Sequence, residues 1–342
     1  MPTMKEIARL AGVSRGTVDR VLNNRGSVAP HKEEKVLEIA KALNYTPNLA
    51  GKTLAVRKKN LKFGYILFGS TSSNPFFLDV VDGIESRAAM LGEYGVSVEI
   101  RYAVIDNPSL QVELINELLE GGVDGLAITP INHPLVIRRV KELSDSGFPV
   151  VTANSDIPDS GRLAYVGSDY FKSGETAAGI MNMICSGGAN VGIVMGSPLV
   201  LCHSERVAGF TRRIQEEYSG LKIIDTQINH DDDIQSYVVT RSLLEAHPEI
   251  DALFLVAAGV TGACRAVQEV GSERKIKVVS YDTTLTSHEL IKSGVIAVAI
   301  TQEPFNQGAK PLDILLNYVG MGIVPEREFF YTEMGIKIKE NL

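Results

Sequence analysis

The sequence of 342 residues predicts an α/β protein in two parts, a small helical module followed by two lobes of parallel sheet. Three observations carry this expectation. Residues 1–60 hold twelve Lys and Arg against five Asp and Glu, a balance of +7, whereas the remainder holds twenty-two against thirty-six, a balance of −14. The same boundary divides short helical patterns from a regular alternation of apolar runs and amphipathic stretches. The chain also exceeds the roughly 250–300 residues at which one hydrophobic core stops growing.

The helical module opens with Thr3 and Glu6 at capping-box spacing, which starts a helix at Met4 that runs to about Leu10. Gly12 breaks it, Ser14 caps a second helix through about Leu22, and the short separation is that of a helix-turn-helix. A third helix follows Pro30, a residue suited to the first helical turn, with Val36, Leu37, Ile39, Ala40 and Leu43 at helical spacing. Ile7, Ala8, Val13, Val18, Val21 and Leu22 supply the facing apolar surfaces. After "NYTPN" comes a basic segment, "LAGKTLAVRKK", whose central Gly51 costs an isolated helix about 1 kcal/mol. It is marginal as a free helix.

From Leu61 ten apolar runs read as strands: "KFGYILF", "SVEIRYAV", "GLAITP", "PVVTAN", "LAYVG", "NVGIVMG", "KIIDTQI", "ALFLVAA", "KVVSYD" and "AVAITQ". Amphipathic segments such as "DVVDGIESRAAML" and "LQVELINELLEGG" separate most of them. Continuously apolar strands alternating with helices mean parallel sheets covered on both faces. Ten strands are too many for one such sheet, so two similar lobes are expected, with a site between them at the carboxyl ends of the strands.

Composition narrows the function. Apolar residues make up 44% and charged residues 22%, ordinary for a globular protein, and no run approaches the roughly eighteen apolar residues of a membrane span. Lys5, Glu6 and Arg9 interrupt the amino-terminal stretch where a secretory signal needs an apolar run, so the expected compartment is the cytoplasm. Cys185, Cys202 and Cys264 are widely spaced and match neither a disulfide framework nor a zinc site. "NHDDDIQ" places His230 beside Asp231, Asp232 and Asp233, but contiguous residues rarely converge on one ion, and carboxylates that start a helix are favoured by its dipole. No Walker loop, "GxSxG" or complete dinucleotide fingerprint is present. Neither a catalytic set, a metal site nor a cofactor is expected.

The basic second helix has a direct chemical reading. A helix-turn-helix lays its second helix in the DNA major groove, where Arg bonds the O6 and N7 acceptors of guanine with two donors. Arg15, Gly16 and Arg20 sit at the end that faces bases, and Ser14 and Thr17, with the first backbone amides, are placed to hold phosphates. Gly16 has no side chain with which to read a base, so selectivity rests on the two arginines and on groove shape. The alternative is a basic, solvated hairpin that packs against another protein.

"MKEIARLAGVSRGTVDRVLNN" resembles the start of the LacI/GalR bacterial transcriptional regulators, whose recognition helix carries a "VS..TVSRVLN" run, and "LNYTPNLAGKTLA" resembles their hinge. "SNPFF", "RVAGF", "VVSYD" and the Gln after "AVAIT" fall in the order of that family's sugar-binding core, so the resemblance spans essentially the whole chain. It implies a helix-turn-helix headpiece and hinge at 1–60 and a periplasmic-binding-protein-like (type I) sensor at 61–342. The expected lobes are about 61–164 with 299–323, and about 165–298 with 324–342. The resemblance makes Arg15 and Gly16 the variable base-reading positions, Arg20 a second reader and Asn23 a phosphate contact. It makes Leu54 a minor-groove wedge at the hinge, with Lys52 beside it. Asp19, Gly51 and Glu33 depart from the usual Ser, Ala and Arg.

In the core, Asn74, Phe76 and Phe77 follow the first strand. Phe rings stack on the C–H faces of a pyranose or cyclitol, and an amide bonds hydroxyls in both directions; the alternative for both rings is plain core. Asn154 and Asp156 end another strand, with an Asx turn as the alternative. The resemblance assigns Arg206, Asp282 and Gln302 to sugar hydroxyls as a guanidinium fork, a carboxylate acceptor and an amide. Ala258 and Gly259 stand where many relatives carry an Asn–Asp pair, so one edge of the usual pocket is reshaped.

The combined reading is a cytoplasmic, homodimeric regulator, a repressor that binds a pseudo-palindromic operator with an affinity modulated by a sugar-like effector. Two half-sites supply through avidity what one headpiece lacks. The rivals are a solute-binding component of a sugar transporter or chemosensory system, and an enzyme acting on a sugar.

Overall fold

The computed structural model describes residues 2–22, 28–43, 57–69, 74–270 and 275–342. The helical module forms α1 (Met4–Ala11), α2 (Arg15–Leu22) and α3 (Pro30–Ala42). Thr3 Oγ1 accepts the Glu6 amide at 3.3 Å. Gly12 ends α1 at φ 70°, a left-handed conformation that costs glycine nothing. Ile7, Ala8, Ala11, Val18, Val21, Val36 and Ala40 close a small core. Leu37, expected on that face, is 47% exposed. Val36, Ile39, Ala40 and Leu43 take the inward stripe at i, i+3, i+4 and i+7, which leaves Leu37 one position around the helix.

All ten expected strands form. The first lobe contains β1 (Lys62–Phe68), α4 (Phe76–Gly92), β2 (Ser97–Ala103), α5 (Pro108–Glu120), β3 (Gly125–Ile128), α6 (Pro134–Asp145), β4 (Val150–Ala153) and β5 (Ala164–Gly167). The chain then crosses into the second lobe through α7 (Tyr170–Ile184), β6 (Ala189–Met195), α8 (Leu201–Glu217), β7 (Leu221–Ile228) and α9 (Asp233–Ala246). That lobe continues with β8 (Ala252–Leu255), α10 (Val260–Val270), β9 (Lys277–Tyr281), α11 (Leu285–Lys292) and β10 (Val298–Thr301). The chain returns through α12 (Pro304–Leu315), which packs on α4, and ends with β11 (Phe329–Tyr331) and β12 (Gly335–Lys337).

The sheets have the orders β2-β1-β3-β4-β5-β11 and β7-β6-β8-β9-β10-β12. The two lobes therefore share one doubly wound topology, and every pairing is parallel except that of β12 with β10. Strand order reverses beside β1 and beside β6, and the crevice at their carboxyl ends is where such sheets bind ligands.

The sheets shift the expected lobe boundaries. Residues 164–167 belong whole to the first lobe as β5, and 298–301 belong whole to the second as β10. The expected cuts ran through both ladders, whereas a chain leaves a sheet only after its last paired residue. The tail 324–342 does not belong to one lobe: β11 pairs with β5 and β12 with β10.

The lobes touch across the crevice. Val200 and Cys202, which follow β6, are buried among the apolar residues of the first lobe. The Asn132 amide donates to the Leu199 carbonyl at 2.7 Å. Asp106 accepts from Ser197 Oγ at 2.7 Å and pairs with His230 Nδ1 at 3.2 Å.

Helices α7 and α8 cross so closely that a Cβ on Gly174 would collide with the Arg206 carbonyl, and one on Gly209 with the Phe171 carbonyl. Gly174→Ala is expected to cost about 1–3 kcal/mol by overpacking, read as a lower urea midpoint. An unchanged midpoint would show that the helices part without strain.

Candidate ligand cleft and DNA-binding module

The cleft is built from residues that follow strands. Asn74, Phe76 and Phe77 come after β1, Asn154 after β4, Asp231 after β7, Ala258 after β8, Asp282 after β9 and Gln302 after β10, and all line one pocket with His203 and Arg206 of α8. Asn154, Asp231 and Asp282 have φ of 63°, 60° and 63°. Left-handed conformations at non-glycine residues cost about 1–3 kcal/mol each and persist where the surroundings impose them. Here each kinks the chain at a strand or loop exit and turns a polar side chain inward.

Arg206 is 3% exposed. Its guanidinium donates to the Val256 carbonyl at 2.7 Å and to Gln302 Oε1 at 2.9 Å, and Gln302 Nε2 donates to Asp282 Oδ2 at 2.8 Å. The cation lies 3.6 Å from the Tyr281 ring centre and 4.7 Å from that of Tyr170, where the ring faces attract it. Arg206 Nε and Asp282 Oδ1 are buried and have no hydrogen-bond partner among the described residues. An unsatisfied donor and acceptor in one pocket suit a ligand that carries adjacent hydroxyls. Burial pushes the Asp282 carboxyl up to about 6, against the pull of Arg206 and the Gln302 bond.

Phe76 and Phe77 are both wall and core: they line the pocket, are 8% and 4% exposed, and meet edge to face at 5.3 Å. Asn154 Nδ2 donates to Tyr170 Oη at 3.2 Å and to Gln307 Oε1 at 3.0 Å. Asp156 does not reach the cleft. Its carboxylate takes both Arg162 Nε and Nη2, together with Thr152 Oγ1 at 2.6 Å and the Ile157 amide at 2.8 Å, in a buried clamp of the first lobe. The expected Asp156 ligand contact is therefore replaced by a structural ion pair.

Sequence reasoning missed His203 and Asp231. His203 Nδ1 bonds the Ser197 carbonyl at 3.1 Å and Nε2 lies 3.8 Å from Asp231 Oδ1. Burial disfavours its charge, but Asp231 and Cys202 together outweigh that and raise the imidazole to about 9. Of the acidic run, Asp232 does cap α9, accepting the Gln235 amide at 2.8 Å, and Asp233 accepts the Gly262 amide at 3.1 Å. Asp231 turns into the cleft instead. Among the described residues no three His, Cys, Asp or Glu side chains converge on a metal position. At the reshaped edge, Ala258 offers backbone alone: its amide donates to Asp231 Oδ1 at 3.3 Å and its carbonyl accepts from Asn229 Nδ2 at 2.7 Å.

In the helical module, Ser14, Arg15, Gly16 and Arg20 are exposed along the start and outer face of α2. Ser14 Oγ accepts the Thr17 amide at 3.0 Å and lies 2.9 Å from Thr17 Oγ1, so the two hydroxyls first serve the helix cap. Arg20 Nε donates to the Gly16 carbonyl at 3.3 Å. Asn23, Lys52 and Leu54 lie outside the described residues.

Residues 3–48 match the model of the bacterial regulatory proteins, lacI family, and residues 64–322 match that of the periplasmic binding protein domain. The chain belongs to the lacI family. This LacI-family chain is a DNA-binding transcriptional regulator whose second part has the type I binding-protein fold. It is 28% identical to the catabolite control protein A of Priestia megaterium, over 93% of this chain and 92% of that one. It is 28% identical to the ribose operon repressor of Halalkalibacterium halodurans, over 93% and 91%. Among solved structures, a glucose-galactose binding protein from Geobacillus stearothermophilus is 25% identical with a TM-score of 0.75, covering 82% of this chain and 98% of that one. A solute-binding protein from Burkholderia graminis, in complex with D-arabinose, is 28% identical with a TM-score of 0.75, over 82% and 96%. These relatives are regulators and binding proteins. Among the described residues no helix is long and apolar enough to cross a membrane.

The Asp282 carboxyl has a folded-state pKa above its unfolded value, so its contribution to stability is complete below about pH 4 and is lost as pH rises through about 6. Above that, the fold keeps a buried charge that an amide does not carry. Asp282→Asn is expected to stabilise the ligand-free protein at pH 8 by about 1–3 kcal/mol and to leave its stability at pH 4 nearly unchanged. Denaturant titrations at the two pH values check the sign.

Proposed function

We propose that the chain is a cytoplasmic, homodimeric repressor that binds a pseudo-palindromic operator and is modulated by a sugar or cyclitol held between its lobes. The observation that carries this reading is the buried Arg206–Gln302–Asp282 chain, with one donor and one acceptor left open in a cleft, on the same polypeptide as a helix-turn-helix with exposed Arg15 and Arg20. Relatives that include a ribose operon repressor and D-arabinose and glucose-galactose binding proteins support the effector class.

In this reading the two parts of the chain divide the work. Arg15 and Arg20 read bases, while Ser14, Thr17 and Asn23 fix register on phosphates, Gly16 lets the helix approach closely, and Lys52 and Leu54 act at the hinge. Phe76 and Phe77 face the apolar side of a ring, Asn74 and Asn154 take hydroxyls from the first lobe, and Arg206, Asp282 and Gln302 take them from the second. A ligand held from both lobes favours one lobe orientation, and the hinge transmits it to the paired headpieces. A preference of about 1–3 kcal/mol between states shifts operator affinity about 5- to 150-fold. The ligand is bound and released unchanged.

The test begins with operator selection from random duplex DNA by the full-length protein, followed by anisotropy titrations. Arg15→Ala and Arg20→Ala are each expected to weaken the selected site by about 5- to 150-fold, the worth of one bidentate base contact, with little loss on unrelated duplex. D-ribose, D-allose, D-galactose and myo-inositol are then titrated; one of them is expected to shift operator affinity, and Arg206→Ala to abolish the shift. Selection that returns no preferred sequence overturns the DNA assignment, and a bound sugar without effect on DNA overturns the coupling.

A further inference from the structure

Among the described residues lining the cleft, Asp231 is the one carboxylate that takes no part in the Arg206 chain. It enters by a strained route, since His230 and Asp231 are consecutive non-glycine residues at φ 50° and 60°, and such outliers cluster where function demands them. Its oxygens are held by backbone from two other strand exits, the Ser197 amide at 3.2 Å and the Ala258 amide at 3.3 Å. Asp231 is 7% exposed, lines the pocket and faces His203 at 3.8 Å.

The surroundings explain what such a group does. Residues 258 and 259 are Ala and Gly, so neither of these two positions offers a polar side chain with which to meet a ligand. A Cβ on Gly259 would press on the Asn229 and Ser236 side chains, so the β8–α10 turn is packed too tightly to supply one. Each carboxylate oxygen accepts more than one hydrogen bond, and two amides and an imidazole leave Asp231 with acceptor capacity toward the pocket. The His203 imidazolium balances its charge, which suits a neutral hydroxyl donor better than an ammonium group.

We propose that Asp231 is a specificity-determining residue of the cleft, accepting a hydrogen bond from one hydroxyl of a neutral polyol on the side opposite Asp282, in place of the side chains absent at 258 and 259. Asp282 with Arg206 and Asp231 with His203 then form two carboxylate–cation pairs that grip a ring from two directions. This rests on the cleft binding a sugar or cyclitol, as proposed above.

The test uses the full-length chain with D-ribose, D-allose, D-galactose and myo-inositol, followed by the monodeoxy analogues of whichever binds, measured calorimetrically. In the natural sequence one deoxy position is expected to lose about 10- to 100-fold in affinity, the range for a hydrogen bond to a charged group. Asp231→Asn and Asp231→Ser are expected to bind the parent sugar more weakly by a similar factor and to cut the penalty at that one deoxy position to within about threefold, leaving penalties at the other positions in place. The two variants together guard against one failing to fold, and retained operator binding reports folding in each. If every deoxy penalty survives in both variants, Asp231 does not select the ligand, while the sugar-binding reading stands. If none of the four polyols binds the natural protein, that reading itself fails and takes this assignment with it.

Discussion

A guanidinium held dry between two tyrosine rings is the constraint on which the rest of the second lobe depends. Stripping Arg206 of water is costly, and a buried charge survives only when it is hydrogen-bonded and electrically compensated. Compensation comes from several places in the chain at once: the Val256 carbonyl after β8, the Tyr281 ring at the end of β9, Gln302 after β10 and the Tyr170 ring at the start of α7. Those elements must lie in register for the cation to be satisfied. The close crossing of α7 and α8 at Gly174 belongs to the same arrangement, because it presses the backbone of Arg206 against the helix that carries Tyr170.

A polar seam continues from this point into the first lobe. Asn154 bonds Tyr170 and Gln307, and Gln307 donates to the Gln302 carbonyl at 2.7 Å, so the crossover into α12 is tied to both β4 and β10. Ser168 and Thr332 join the other two crossovers at 3.0 Å. The segments that connect the lobes are thus linked to one another by side chains.

Much of this was legible in the sequence, for reasons that differ by element. Eight of the ten strands show themselves because parallel strands covered on both faces leave unbroken apolar runs, while the edge strands β2 and β7 are half-buried and show through their β-branched residues. β11 and β12 do not, since each is three residues long and lies at a half-exposed edge. Arg206, Asp282 and Gln302 were reached through resemblance, and their convergence follows from neighbouring strands ending on one side of a sheet. Asp156 looked equivalent to them, because nothing local tells a carboxylate that faces a cleft from one that faces an arginine six residues on. His203 had a usable signal: it precedes Arg206 by three residues on α8, which puts both on one helical face. Asp231 had none, as its neighbours Asp232 and Asp233 do what acidic residues at a helix start ordinarily do, and only its backbone conformation separates it from them.

The two terminal strands also bear on how the molecule comes into being. Each sheet receives an edge strand from residues 329–337, more than 160 positions downstream of β5 in one case. A nascent chain therefore cannot complete either lobe until residues 329–337 have left the ribosome, and pairings so distant in sequence are slow to close. Neither lobe is a contiguous cassette that recombination could lift out intact, whereas the described residues of the headpiece close on an apolar core of their own, contiguous in sequence.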